Sequence, residues 1–392
     1  MKLRKSFTSQ IPFLVVILFA QAVVFAQQLP AYRYTPPEKI KDGIRTGSLK
    51  NAGMNETKIV AGMNDILKGT YPNIHSLLIF RNGKLVLEEY FTGEDVERGI
   101  GPVGAIKHSR DTLHDMRSVT KSIVAAAVLI AHSQGKIKSL DQPVFDFFPE
   151  YARSAEGDKK NITVKHVLTM SAGLDWNEGI SYADPKNSEN QMNNSADPIG
   201  YVLSQKLVAK PGIVFNYSGG MTQLLAAIIK KSTGMDAEIF TDKHLFAPLG
   251  ITKYKWAKTK SGDPSAASGL RLRSRDMAKI GMLMLNLGIW NGKRIIPERL
   301  AADALKAHIR VPEDIPGGHV DYGFQIWLPT YKSNGVSISV AEFEGNGGQF
   351  IVIDKKKNIL VAITAGNYNQ RNLKKGSYDI YQDIIFPSIF ER

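Results

Sequence analysis

No cysteine occurs among the 392 residues. Disulfide staples, a thiolate nucleophile and any Cys-ligated zinc or iron–sulfur centre are thereby excluded, so chemistry has to run on oxygen and nitrogen groups. Histidine is sparse, at eight residues, and shows no His-Glu-x-x-His or comparable ligand spacing. His108 and His114 flank a predicted loop with no third ligand nearby in sequence, so neither a metal nor a cofactor is expected. A Gly-x-Ser-x-Gly elbow, which would hold the serine of a Ser-His-Asp triad, is also missing. Internal repeats and low-complexity tracts are absent. At 43% hydrophobic and 22% charged the chain falls in the range of ordinary folded protein, which removes disordered, collagenous and coiled-coil readings. The formal charge is +13, but the longest basic run is Lys355 to Lys357, followed by Asn358 as a turn requires. Without aromatic residues alternating with the cations, that run reads as a solvated hairpin tip, and no nucleic-acid partner is expected.

The start of the chain has a three-part layout. Lys2, Arg4 and Lys5 precede an apolar run from Ile11 to Phe25, which closes on Val24-Phe25-Ala26 and two glutamines. This is the pattern of a secretory signal peptide, and the run is shorter than the roughly 20 residues that span a bilayer. Residues 1–26 are therefore expected to be removed after Ala26, with an uncleaved anchor as the alternative. No second segment of spanning length follows, so a polytopic membrane protein is excluded and no stable span is expected after cleavage. The expected destination is outside the cytoplasm, in a bacterial periplasm or the extracellular space. The sequon Asn216-Tyr217-Ser218 inside a candidate site argues mildly against a glycosylating compartment.

Residues 27–53, rich in proline, tyrosine and lysine and without periodicity, read as an extended arm. A helix is predicted over 56–67. Apolar runs then flank Asn82-Gly83, the strongest short-range hairpin signal, because both residues accept the positive φ of a type I′ turn. A second hairpin is predicted over 349–365, with further strands at 321–328 and 336–343. Between these ends lie helical patterns at 118–132, 163–171, 198–205, 219–231, 237–246, 274–287 and 297–306. The first is apolar on most faces, as a buried helix is, and ends at Gly135. The expected architecture is α+β. Both chain ends (about 54–117 and 290–392) contribute to one antiparallel sheet flanked by helices, and a mostly helical region (about 136–289) is inserted between them, all within residues 54–392.

Chemistry concentrates in three places. Ser118-Val119-Thr120-Lys121 sets a hydroxyl and an amine one helical turn apart on the same face, at the start of the buried helix. First-turn amides and the helix dipole suit an oxyanion there, and burial among apolar groups disfavours a lysine cation, leaving a neutral amine as proton acceptor. On this motif alone, an N-capping serine with a snorkelling lysine remains an equal reading. A second Ser-x-x-Lys, Ser133 to Lys136, straddles Gly135 at the helix end and reads as solubilising residues. Tyr217 follows Pro211-Gly212 on a turn that opens the next helix, where its phenol could share a proton with Ser118 and Lys121 or simply pack. Asn346-Gly347-Gly348-Gln349 leads directly into a strand, and glycines there mark a close approach, of another backbone or of a ligand. The Gln349 N–H beside that of Ser118 would complete a two-donor oxyanion hole for acyl transfer.

Ser118-x-x-Lys121, Tyr217-Ser218-Gly219 and Asn346-Gly347-Gly348, in this order, resemble the three motifs of the serine β-lactamase and penicillin-binding-protein superfamily. Stretches beginning at Tyr71, Asp115, His166 and Gly269 are similar to landmarks of its class C-like hydrolase branch, so the likeness runs from about Gly53 to the C-terminus. The resemblance implies a β-lactamase-like fold with its site at the junction of sheet and helical regions. It also implies Ser118 as nucleophile, Lys121 as its proton partner, Tyr217 as base and then acid, and the amides of Ser118 and Gln349 as oxyanion hole. Two positions depart from lactam-processing members. Gly219 stands where asparagine usually holds the substrate amide, and Asn346 stands where a cation usually attracts the lactam carboxylate. The pattern is nearer to the esterase and 6-aminohexanoate-dimer-hydrolase members, which implies a small ester or amide substrate. A peptidase or lactamase acting on cell-wall-type substrates, or a binding member without catalysis, stand as alternatives. Gly219, Asn346, Gly347 and Gly348 are the expected substrate-binding positions, with Trp176 either a cleft wall or a core residue. Oligomeric state is not legible in the sequence.

Overall fold

Alternating apolar residues at both chain ends build the central layer of the protein. In the computed structural model, which describes residues 31–312, 318–333, 335–370 and 373–389, this layer is a nine-stranded antiparallel sheet. Its strands are β1 (Ile74–Arg81), β2 (Lys84–Tyr90), β3 (Ile309–Arg310), β4 (His319–Tyr322), β5 (Trp327–Ser333), β6 (Val336–Ser339), β7 (Ala341–Gly345), β8 (Gln349–Asp354) and β9 (Ile359–Ala365). Their order is β3-β4-β5-β7-β8-β9-β1-β2, with β6 paired to β5. The two ends of the chain meet at β1 and β9, where Leu78 lies opposite Ala362. The expected signal segment, 1–26, lies outside the described residues.

Both central strands are covered on each face, and their side chains divide by parity. Leu78 and Phe80 of β1, with Leu360 and Ala362 of β9, enter a core shared with the helices. Leu77 and Ile79, with Ile359, Val361 and Ile363, enter a second core on the opposite face. The period of two in a strand makes this division automatic once the register is set. Asn82 and Gly83 take φ of 51° and 71°, the expected turn between β1 and β2, and Lys355 to Lys357 sit at the β8–β9 tip. Predicted strands 321–328 and 336–343 are each divided. The first breaks where Gly323 to Ile326 leave the ladder, the second at Val340, which lets the chain cross from the β5–β6 hairpin into β7.

Four helices complete the scaffold around the sheet: α1 (Glu56–Leu67), α2 (Val119–Ser133), α3 (Gly219–Thr233) and α4 (Ser274–Leu285). The second core lies between the sheet, α1 and the C-terminal turns. Tyr32, Tyr34, Leu49 and Ala52 of the N-terminal arm lie on the same side, where Tyr32 donates its hydroxyl to Glu89 at 2.5 Å and Tyr34 donates to the Val86 carbonyl at 2.8 Å, whereas Ile44 enters the first core and Asp42 pairs with Arg275 of α4. Helix α2 is buried along nearly its whole length, between β7 and β8 on one side and α3 on the other. Helix α4, expected within the helical insertion, instead packs on β8 and β9. Its contact depends on Gly281, where a Cβ would fall 2.4 Å from Leu360 Cδ1 and 2.7 Å from Ile351 Cγ2. A two-stranded hairpin of 92–97 and 101–107, unforeseen in the sequence, stands outside the main sheet.

Gly281→Val should cost about 1–3 kcal/mol through overpacking, read as a lower denaturant midpoint at unchanged slope. An unchanged midpoint would mean that α4 can move off the sheet freely.

Candidate active site

The short strand His114–Asp115 pairs with Leu270–Leu272, and Met116 N–H donates to the Leu270 carbonyl at 2.8 Å. The chain then turns sharply through Arg117, a non-glycine residue at φ 47°, a sparsely populated conformation that persists only where its surroundings enforce it. Arg117 pairs with the buried Asp115 carboxylate at 3.0 Å, and its guanidinium lies 4.5 Å from the centre of the Tyr368 ring. Ser118 follows, half-buried at the start of α2, and its hydroxyl caps no helix amide. Instead Lys121 Nζ donates to Ser118 Oγ at 3.1 Å and to the Ala267 carbonyl at 3.0 Å. The N-cap reading of Ser118 is thus not what the structure shows.

Lys121 is 1% exposed, yet its surroundings are not purely apolar. Glu178 Oε1 and Glu189 Oε2 each lie 3.8 Å from its nitrogen, and neither residue stood out in the sequence. Glu178 accepts from the Gly219 N–H at 2.6 Å, the Trp176 indole at 2.8 Å and the Tyr182 hydroxyl at 2.9 Å. Glu189 accepts from Ser268 Oγ at 2.7 Å and faces Arg98 at 3.4 Å. Burial and the neighbouring Glu189 raise Glu178 to about 7. Burial also opposes charge on Glu189, but Lys121, Arg98 and its hydrogen bonds outweigh it and hold this carboxyl below its usual range. At neutrality Glu189 is therefore ionised, while Glu178 is about half protonated.

Tyr217 sits on the turn before α3, whose N-cap Ser218 accepts from the Met221 N–H at 3.4 Å. Asn216 fixes the turn by donating to the Leu174 and Trp176 carbonyls, each at 3.2 Å. The Tyr217 ring stacks on Trp327 at 5.5 Å, and Lys121 Nζ lies 4.9 Å from its centre. Burial, then the charge of Glu178, push the phenol well above its ordinary value, while a hydrogen bond with Ser118 acts in the other direction. At rest it is protonated.

The β7–β8 turn closes the site. A Cβ on Gly345 would lie 2.5 Å from the Met116 carbonyl, so only glycine lets the end of β7 reach the turn before Ser118. Gly347 and Gly348 adopt φ of 101° and 93°, which glycine tolerates without strain. Asn346 is tied to Asn369 by two hydrogen bonds, of 2.7 and 2.8 Å. The Gln349 side chain bridges to both backbone groups of Ala365, at 2.8 and 3.1 Å. Ser118, Tyr217, Trp327, Asn346, Gly347 and Gly348 line a cleft of about 850 Å³. A side lobe of about 370 Å³ shares Ser118, Tyr182 and Asn346 and adds Arg98 and Arg117.

Ser118, Lys121, Tyr217, Asn346, Gly347 and Gly348 thus converge as expected, while two expected substrate positions do not line the cleft. Trp176 is buried and holds Glu178 from beneath; Trp327 is the tryptophan that faces the opening. Gly219 underlies the site, where a Cβ would lie 2.7 Å from Glu189 Oε2. The space an asparagine would need is taken by Glu189 and Ala267, so the departure at Gly219 was a sequence signal of Glu189. Gly219→Asn should lower the melting temperature by about 2–6 °C and should not create lactam turnover, measured by thermal denaturation and a chromogenic lactam assay. Because Glu178 titrates higher folded than unfolded, its contribution to stability is complete below the ordinary carboxyl range and is lost as pH rises through about 7. Wild type should therefore lose about 1 kcal/mol relative to Glu178→Gln between about pH 6 and 8, seen in urea unfolding at both values.

A family model described as Beta-lactamase matches residues 74–380. Protein flp of Staphylococcus aureus (strain NCTC 8325 / PS 47) is 27% identical over 210 residues, 54% of this chain and 40% of that protein. Esterase EstB of Burkholderia gladioli is 30% identical over 157 residues, 36% of this chain and 38% of that protein. The matched region is therefore about two fifths of the length of either curated relative. Among solved structures, EstCE1, described as a hydrolase with promiscuous acyltransferase activity, superposes with a TM-score of 0.65 at 18% identity, covering 86% of this chain and 98% of that one. The extent of the family match, with the sheet formed by both chain ends and the helical insertion, shows that this chain belongs to the β-lactamase family.

Proposed function

We propose that the protein is an exported serine hydrolase that cleaves a small ester or amide through an acyl-enzyme on Ser118. The observation that carries the proposal is the 3.1 Å contact of Lys121 Nζ with Ser118 Oγ at the floor of an open cleft, under a protonated Tyr217. In acylation Ser118 attacks the substrate carbonyl and its proton passes to Lys121. The amine can receive it after handing a proton to ionised Glu178, 3.8 Å away. Tyr217 is better suited to be the acid that protonates the leaving group than to be a resting base. Having lost that proton, its phenolate can activate the water that releases the acyl group. The amides of Ser118 and Gln349 are the proposed oxyanion donors. Asn346 and the glycines beside it form the cleft wall along which the acyl group would lie.

An ester or small amide is favoured over a lactam because, among the described residues, the lining of the main cleft carries no cation to attract a lactam carboxylate. Asn346 is committed to Asn369, and the arginines of the side lobe, Arg98 and Arg117, face Glu189 and Asp115. Export rests on Lys2, Arg4, Lys5, the apolar run to Phe25 and the small residue Ala26.

Intact-mass analysis after fluorophosphonate treatment should give one adduct, mapped to Ser118, and p-nitrophenyl acetate should release nitrophenol. Ser118→Ala should abolish both, a loss of at least about a thousandfold in turnover, with an unchanged circular dichroism spectrum. Adduct-free, inactive but folded wild type would favour a binding role, and nitrocefin turnover exceeding ester turnover would move the substrate to lactams.

A further inference from the structure

Outside the cleft, three imidazoles and a carboxylate converge in the interior. His75 comes from β1, Asp95 from the first strand of the outlying hairpin, His108 from the residue after its second strand, and His114 from the short strand before Ser118. All four are buried, at 0 to 5% exposure, and one ligand atom from each lies within 4.8 Å of the others.

Hydrogen bonds fix the protons on two of the rings. Asn73 Nδ2 donates to the Glu94 carbonyl at 2.8 Å, so its Oδ1 is the atom facing His75 Nε2, at 3.1 Å, and takes that N–H. His114 Nδ1 lies 3.1 Å from the Asp115 carbonyl, which can only accept. In their neutral forms His75 Nδ1 and His114 Nε2 are therefore both lone pairs, and they face each other at 2.8 Å. That arrangement is repulsive unless a cation lies between them. A proton would serve only these two nitrogens. The other two groups point to something larger: Asp95 Oδ1 lies 3.7 Å from His114 Nε2, and His108 Nε2, on a ring stacked 4.0 Å from His75, is buried with no hydrogen-bond partner. The space around the first ring is kept by glycine. A Cβ on Gly93 or on Gly366 would fall 2.6 Å from the His75 ring.

We propose that His75, Asp95, His108 and His114 form a binding site for a divalent transition-metal ion, with zinc the best match. Three imidazoles with one carboxylate suit zinc over magnesium or calcium, and four buried protein ligands make a closed, structural site. Tetrahedral ligands about 2.0–2.1 Å from zinc lie about 3.3 Å apart, so the groups need adjust by only about 1 Å. Outer partners that orient the ligands are in place: Asn73 on His75, the Asp115 carbonyl on His114, and the Tyr368 hydroxyl, which donates to Asp95 at 3.0 Å. The ion would tie β1, the hairpin and the strand leading to Ser118 into one unit, and this role does not depend on which reaction Ser118 performs.

The test uses the full chain, stripped with a chelator and titrated with Zn²⁺ alone by calorimetry, with Co²⁺ as a spectroscopic probe. The expected result is one equivalent of Zn²⁺, a higher melting temperature and the intense visible bands of four-coordinate Co²⁺. His108→Ala should weaken binding by at least about tenfold, and Ser118→Ala should leave it unchanged. No uptake by folded wild type, or equal affinity in wild type and His108→Ala, would overturn the proposal. If His108→Ala does not fold, the wild-type Co²⁺ spectrum decides, since weak six-coordinate bands or none would overturn it equally.

Discussion

A buried amine governs this site. Lys121 enters the interior one turn into a helix that is otherwise apolar, and a charged group in such a place is tolerated only with partners of opposite charge and hydrogen-bond acceptors around it. Ser118, the Ala267 carbonyl, Glu178 and Glu189 supply them. Each of these partners is held in turn: Glu178 by an amide, an indole and a phenol, Glu189 by Ser268 and Arg98. Removing one member would strand a neighbour's charge or donor away from water, and that interdependence makes the cluster rigid.

Close approach of backbones is the second constraint. Gly345 lets the end of β7 touch the turn before Ser118, Gly219 leaves room for Glu189, and Gly281 brings α4 onto the sheet. None of these glycines supplies chemistry. They set distances, and the strained Arg117 converts those distances into the direction in which Ser118 points.

Much of the architecture was legible in the sequence because its signals are local. Asn82-Gly83 specifies a turn by the conformations these residues accept, α1 follows from its helical pattern and α2 from its continuous apolar stretch ending at Gly135, and the motifs around Ser118, Tyr217 and Asn346 were each readable within a few residues. Long-range features were not. The division of the predicted strands at Gly323–Ile326 and Val340 depends on which neighbour each half pairs with, and α4 chose the sheet because Leu360 and Ile351 offered a surface matching Gly281. Trp176 could be a wall or a core residue by its own chemistry; its indole donating to Glu178 decided the matter.

The sequence by itself determined the sheet from both chain ends, the inserted helices and the trio of Ser118, Lys121 and Tyr217, since hydrophobic period, turn chemistry and motif spacing are written in consecutive residues. Only the tertiary structure decided the electrostatics around that trio and the meeting of His75, Asp95, His108 and His114. Glu178 and Glu189 lie far from Lys121 along the chain, and the four converging ligands come from separate segments. A charge or a lone pair acts over a few ångströms of space, and sequence spacing does not record which distant segments folding brings within that range.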